Sequence, residues 1–379
     1  MSRLPLLLRL ARNGLRYRMS RLTGASCPIQ ALSLEITHRC IARCTMCNIW
    51  KIPDTVEDLP LSEWLKLLAS SELKQLREID ITGGEPFLRN DIVNLVEAIS
   101  RSKRDRYPKL RTVAVTTNGL LTQRILKGAD VMAGHLNRSH IDMVFAVALD
   151  AIGELHDNIR GVPGAWPKVL ETIEGLCRLR NTFPNLVIGV KTTIIPKNVG
   201  HLEDIAIFAQ ERGLFTIISP RILTGVRYGN LDRADDLVFT KENLDDLAMF
   251  CSSDLFRGGY HRKVLMDLFE KGRVTKPCTA GFNYFFVRST GDVYPCPLTD
   301  CCLGNIQRSS LGDLVQSSKA RGFRRQCGTF TECETCTEPG LERYALPFEA
   351  IAYGRLMNEL SYNDFVQLHR HIGLDKYLP

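Results

Sequence analysis

The sequence predicts an α/β fold built on a parallel sheet. Three observations carry this: six β-branched runs along residues 31–222, helix-like stretches between them, and strand ends that are polar or glycine-rich. Such alternation implies parallel strands with covering helices. Functional residues in these folds lie at the carboxyl ends of the strands. The chain has 379 residues, 44% hydrophobic and 24% charged, enough for a large core in an ordinary globular protein. Its net charge of +7, from 49 basic and 42 acidic residues, is too mild to indicate nucleic acid.

Taken in order, the chain opens with Arg3, Arg9, Arg12, Arg16, Arg18 and Arg21 set among leucines. No apolar run there is long enough for a signal peptide or a membrane span. The expected reading is a leading helix packed on the main domain. The alternative is a basic amphipathic helix on an anionic membrane or partner. The first strand is "ALSLEIT", Ala31–Thr37, and Leu61, Leu65 and Leu68 then mark a helix face at i, i+4, i+7. Glu78–Thr82 is the second strand, followed by the helix of "DIVNLVEAI". Further strands are read at Thr112–Thr117, Met143–Leu149, Leu186–Ile195 and Phe215–Ser219, with helices such as "KVLETIEGLCRLR" and "HLEDIAIFAQERG" between them. Their ends carry Thr37–Cys40, Thr82–Pro86, Thr117-Asn118-Gly119, Asp150, Pro196–Asn198 and Ser219–Arg221. Six such ends on one rim point to a site there. Asp150, Lys191, Asn198 and Arg221 lie on it, and none reads as an acid or base.

After residue 230 the pattern changes. "KENLDDLAMF" and "KVLMDLFEKG" read as helices, "FNYFFVRSTGDVYPC" as a hairpin, and "SLGDLVQSSKARGF" as one helix. The last 40 residues read as mostly helical.

Thirteen cysteines without a secretion signal favour metal or redox chemistry in a reducing compartment over disulfides. Cys27, Cys177 and Cys251 stand alone and read as small buried hydrophobes. Cys40, Cys44 and Cys47 form C-x3-C-x2-C directly after the first strand. A structural zinc wants a fourth ligand, and His38 would have to fold back to supply it. A four-iron cubane on three cysteines instead leaves one iron open to a small molecule with an amine and a carboxylate.

This motif, with "TGGEP" (Thr82–Pro86) ending the next strand, resembles the radical S-adenosylmethionine (SAM) superfamily. "TTNG" (Thr116–Gly119) and "VALDAIGELHDNIRG" (Val147–Gly161) resemble its third- and fourth-strand motifs. The resemblance implies a partial (β/α)6 TIM-type barrel. It implies a [4Fe–4S] cluster on Cys40, Cys44 and Cys47 whose fourth iron binds SAM. It places SAM-binding groups at Gly83, Gly84, Glu85, Pro86, Thr117, Asn118, Asp150 and Arg160, with Arg160 reaching the carboxylate. The family's usual serine falls on Ala148, which removes one hydroxyl contact, and Met46 stands where an aromatic residue often lies near the adenine.

Farther on, Cys278 and Cys296 in C-x12-G-x4-C, then "LGNI", then Cys333-x2-Cys336 resemble the SPASM and twitch domains behind many radical SAM cores. The resemblance implies one auxiliary [4Fe–4S] cluster on Cys278, Cys296, Cys333 and Cys336. Cys327 competes for a place, Cys301 and Cys302 stand in an insertion, and zinc is the alternative metal. The expected division is a basic segment at 1–30, a radical SAM core at 31–230, a helical linker at 231–277, the auxiliary unit at 278–340 and a helical extension at 341–379.

The implied chemistry is reductive cleavage of SAM to a 5'-deoxyadenosyl radical that takes hydrogen from a C–H bond. A flavodoxin or ferredoxin is the expected reductant. Residues 1–30 are too few for the leader-binding domain of many peptide-modifying members, so the expected substrate is small and polar or lipid-linked. A peptide or protein side chain is the alternative, and a redox-sensing protein the non-enzyme one. The expected location is cytoplasmic, with peripheral membrane contact through the basic start as a variant.

Overall fold

The computed structural model describes residues 4–256, 259–359, 365 and 369–372. Arg3 and residues 360–364, 366–368 and 373–379 of the expected helical extension lie outside them. Helix α1 (Leu4–Thr23) leads into β1 (Ala31–Thr37), α2 (Leu61–Leu68), β2 (Glu78–Gly83), α3 (Ile92–Ser102), β3 (Thr112–Thr117) and α4 (Thr122–Arg138). Then come β4 (Asp142–Ala148), α5 (Glu154–Arg160), α6 (Ala165–Arg180), β5 (Leu186–Ile194), α7 (Leu202–Glu211) and β6 (Phe215–Pro220). These six strands pair in parallel in sequence order. The strands read from sequence match them to within one residue at each end, because runs buried on both faces are continuous and β-branched.

Period-2 alternation sorts β1 into two faces. Leu32, Leu34 and Ile36 join the apolar core with Ile79, Ile81 and the covering helices. On the other face, Ser33 donates to Asp80 (3.0 Å), Glu35 pairs with Arg288 (3.4 Å) and Thr37 donates to Asp58 (2.5 Å). That polar face is the inside of the half-barrel.

Helices α8 (Lys241–Ser252) and α9 (Tyr260–Lys271) follow, and then the hairpin expected inside the auxiliary unit. The hairpin extends the core sheet. Strand β7 (Tyr284–Val287) runs parallel beside β1, with β8 (Asp292–Tyr294) and β9 (Gly304–Asn305) antiparallel beyond it. The sheet thus has nine strands in the order β6-β5-β4-β3-β2-β1-β7-β8-β9.

Two helix readings are corrected. In α2 the buried residues are Trp64, Leu67 and Leu68, while Leu65 is 37% exposed. The large indole takes the core side and turns the helix away from the Leu61–Leu65–Leu68 face. The segment read as one helix is two, α10 (Leu311–Gln316) and α11 (Ser318–Gln326). Ser317 between them is extended, and its hydroxyl accepts from Ala320 N–H (3.1 Å), capping the second. Helices α12 (Thr331–Glu334), α13 (Pro339–Ala345) and α14 (Ala350–Glu359) complete the described chain. Helix α1 packs on α11, α14 and the 3-10 turn at Leu346–Phe348, in the expected auxiliary unit and helical extension, where the favoured reading of the basic start expected the main domain.

Candidate active site

The loop after β1 carries the three cysteines and is held from two sides. From β2, Gly84 N–H donates to Thr37 C=O and Glu85 N–H to Arg39 C=O, each at 2.8 Å. A Cβ on Gly84 would stand 2.2 Å from Arg39 O, and one on Gly83 2.2 Å from Thr37 O. The two glycines therefore serve the approach of β2 to the cysteine loop. From α5, Ile159 and Arg160 carbonyls accept from Thr45 N–H (2.9 Å) and Arg43 N–H (2.8 Å). Gly161 closes α5 in the left-handed conformation (φ 63°), where any Cβ would meet Arg43 O.

Cys40, Cys44 and Cys47 line one cavity at the carboxyl ends of the strands. Gly83, Gly84, Thr117, Asn118 and Arg160 line it as well, together with Met46 and Ala148. Asn118 Nδ2 donates to Cys40 Sγ (3.8 Å), and Arg160 Nη1 to Cys44 Sγ (3.6 Å). His38 turns away, to Asp58 (3.0 Å) and Ser289 (3.2 Å).

Three predicted residues stand behind this surface. Glu85 is fully buried, accepting from Thr117 Oγ1 (2.9 Å), Asn118 N–H (2.7 Å) and Phe87 N–H (3.1 Å). Burial pushes its carboxyl up to about 7 against those bonds. Pro86 opens the short 3-10 turn Pro86–Leu88. Asp150 is fully buried and pairs with Arg160 Nη2 at 2.7 Å. Burial opposes the Arg160 charge, but Asp150 and the Cys44 thiol outweigh it and keep the guanidinium protonated. Asn198, another rim candidate, is structural: its amide donates to the Asp150 (2.8 Å) and Thr193 (3.1 Å) carbonyls.

The donor set fits an iron–sulfur cluster with an open iron. Burial, then the Cys44 thiol, pushes Cys40 up to about 11; the same two causes push Cys47 up to about 12. Packed together, these thiols ionise only against a strongly positive group. A cubane takes its ligands on separate irons, so three thiols around one cavity suffice to hold it. Arg160 Nε is buried without an acceptor, a donor left beside the thiols.

Sequence reasoning missed the other wall. Lys191 and Arg221 were seen on the rim, but Arg227, Tyr228 and Glu338 were not, and all five line the cavity. Arg227 and Tyr228 come from the long loop after β6, and Glu338 comes from beyond the second cysteine group. Arg227 donates to Thr82 Oγ1 (3.3 Å) and lies over the Phe286 ring (5.0 Å). Only long-range folding brings these to the thiols.

In the second group Cys278, Cys296, Cys327 and Cys336 pack in one small core with Tyr17, Phe282 and Phe323. Cys327 Sγ donates to the Cys278 carbonyl (3.8 Å), and its thiol lowers the pKa of the Cys278 thiol against burial. Cys333 is close enough to both Cys278 and Cys336 for their charges to raise its pKa, after burial. Five thiols therefore share this neighbourhood. Cys301 also packs at the edge of this core, with Lys319 acting on its thiol, while Cys302 donates to Gly304 C=O (3.7 Å). Cys27 and Cys251 are buried as expected, and Cys177 is partly buried.

A parallel half-barrel with three thiols at its mouth and a second thiol group against its edge defines an iron–sulfur enzyme with an open coordination site. Residues 34–209 match the family model of the radical SAM superfamily, and residues 278–337 that of SPASM, an iron-sulfur cluster-binding domain. The chain therefore carries a radical SAM domain followed by a SPASM-type domain at its carboxyl-terminal side. Its cofactors are a [4Fe–4S] cluster with SAM and auxiliary iron–sulfur, which sets the zinc and non-enzyme alternatives aside. The sporulation killing factor maturation protein SkfB of Bacillus subtilis is 23% identical over 84% of this chain and 71% of its own. The AdoMet-dependent heme synthase of Methanosarcina barkeri is 25% identical over 78% of this chain and 83% of its own. Streptococcus suis SuiB, solved with its precursor peptide SuiA, shares the fold with a TM-score of 0.57 at 16% identity, over 84% of this chain and 71% of that one. No helix among the described residues is long and apolar enough to cross a membrane.

Proposed function

We propose that the chain oxidises or rearranges a small polar or lipid-linked substrate carrying an anionic group, at a C–H bond held in the cavity above Cys40, Cys44 and Cys47. The observation that carries this is the composition of that cavity: the three thiols share it with Lys191, Arg221, Arg227 and the single carboxylate Glu338. A site with this excess of cations suits an anionic ligand, and the partial burial of Lys191, Arg221 and Arg227 strengthens each contact.

Cys40, Cys44 and Cys47 hold the cluster, and Cys278, Cys296, Cys333 and Cys336 the auxiliary one, with Cys327 as a fifth thiol in reach. When bound, the cluster and SAM supply a 5'-deoxyadenosyl radical that takes a hydrogen atom from the substrate. Arg160, oriented by Asp150, offers a charge-assisted donor to the SAM carboxylate. The backbone of Gly83 and Gly84 and the end of β3 at Thr117 and Asn118 form the adjoining wall. Met46 and Ile49 give that wall an apolar stretch that keeps water out. Glu338, two residues beyond Cys336, lines the cavity and brings the auxiliary unit to it; a cluster held by Cys278, Cys296, Cys333 and Cys336 would supply an electron acceptor for the oxidation. A flavodoxin or ferredoxin supplies the first electron.

A peptide or protein side chain is the second reading, supported by the relatives: SkfB is a maturation protein, and SuiB binds a precursor peptide. Anaerobic reconstitution should load about eight irons per chain, and one zinc with about four irons would exclude the auxiliary cluster. Under reductant the protein should convert SAM to 5'-deoxyadenosine. Cys40→Ala, Cys44→Ala or Cys47→Ala should abolish this, and retained cleavage in any of them would move the cluster elsewhere. Cys333→Ala should still cleave SAM but form no product. Deuterium transfer from labelled candidates into 5'-deoxyadenosine, read by mass spectrometry, separates an anionic small molecule from a peptide.

A further inference from the structure

The two faces of α1 differ. Leu10 and Tyr17 are buried; Tyr17 donates its hydroxyl to the Cys278 carbonyl (2.7 Å) and meets Phe282 edge-on at 5.0 Å. On the opposite face Leu8, Leu15, Met19 and Leu22 are between 60% and 82% exposed. They recur at i, i+7, i+11 and i+14, a single line along a helix advancing about 100° per residue. Four large apolar side chains in one exposed ridge need a partner surface.

Charge selects that partner. Arg12 and Arg16 flank the ridge on one side and Arg18 on the other, and all three are exposed. No acidic residue precedes Glu35 in the chain. A second copy of the helix would bring its own arginines against these, so self-pairing along this face is opposed by like charge. An acidic surface with an apolar interior satisfies both features at once. We propose that α1 rests on an anionic phospholipid surface, with Leu8, Leu15, Met19 and Leu22 at the boundary of headgroups and acyl chains and the arginines on the phosphates. The helix lies in the plane of the interface. Because its other face is anchored to the auxiliary cysteine loop, the whole enzyme is held at the membrane, whatever the class of its substrate.

The test uses the full-length reconstituted protein and vesicles of phosphatidylcholine with or without phosphatidylglycerol. Co-sedimentation should occur with the anionic vesicles alone, and should fall at least about tenfold from low to moderately high salt as the charges are screened. Leu15→Glu with Leu22→Glu should abolish it. Arg12→Gln with Arg16→Gln and Arg18→Gln should weaken it at least about tenfold, at about one contact's worth of affinity per arginine. Both variants should keep wild-type iron content and SAM cleavage, which separates this proposal from the reading of the catalytic cavity. If the glutamate variant loses iron, the glutamine variant decides, since it touches no apolar contact. Absent or salt-independent binding would overturn the proposal, as would equal binding to neutral vesicles. So would a concentration-dependent dimer that the glutamate variant dissociates.

Discussion

At the scale of single residues, His156 sets a pH limit. It is fully buried behind the Asp150–Arg160 pair, and its Nδ1 accepts from Asp150 N–H (3.2 Å). Burial, then the nearby Arg160 charge, lowers its pKa to about 3. The unfolded chain therefore binds a proton near pH 6.5 that the folded chain refuses. The stability this site contributes is complete above pH 6.5 and falls as pH drops toward 3, by up to about 1.4 kcal/mol per unit. Between pH 6.5 and 5 the urea midpoint should fall more steeply for the wild type than for His156→Asn; equal slopes would mean that His156 is protonated in the folded state. The cysteine spacing, the GGEP turn and Arg160 were legible in the sequence because each is local or tied to a strand end. Arg227 and Glu338 were not, since neither has a neighbour in sequence that hints at the cavity.

Among the elements, the cysteine loop depends on its two clamps more than on its own sequence. Gly84→Ala would drive a methyl group into the Arg39 carbonyl at 2.2 Å, where the listener is backbone and cannot rotate aside. The expected result is a loss of about 3 kcal/mol, as for severe overpacking, with iron content lowered at the first cluster and the auxiliary cluster retained. A Gly84→Ala variant with full iron and unchanged stability would mean that the two backbones separate at little cost. Strand positions could be read almost to the residue, but helix faces could not. Helix α2 has apolar residues around much of its circumference, so Leu61–Leu65–Leu68 and Trp64–Leu67–Leu68 were both plausible faces, and tertiary packing chose between them. The break between α10 and α11 had a local signal, the serine pair in "VQSSKA", since serine caps a helix more readily than it continues one.

For the molecule as a whole, the sheet joins what the sequence divides. β7 pairs with β1, so the strand that precedes the first cysteine group is also the partner of the hairpin within the second. The composition of that hairpin predicted its strands, but its place in the sheet rests on pairing across the length of the chain. Shared hydrogen bonds and a core common to both units predict one cooperative transition in urea, followed by backbone circular dichroism and by the visible absorbance of the clusters. Two separated transitions would mean that the units fold independently. The position of α1 bears on how the chain is made. Tyr17 meets Cys278 across 261 residues of sequence, and α1 packs on α14 near the other end of the described chain. During synthesis the first helix emerges long before the surface that receives it. Its docking is a late, long-range step, and a nascent chain with this apolar, basic helix uncovered is where a chaperone would be needed most.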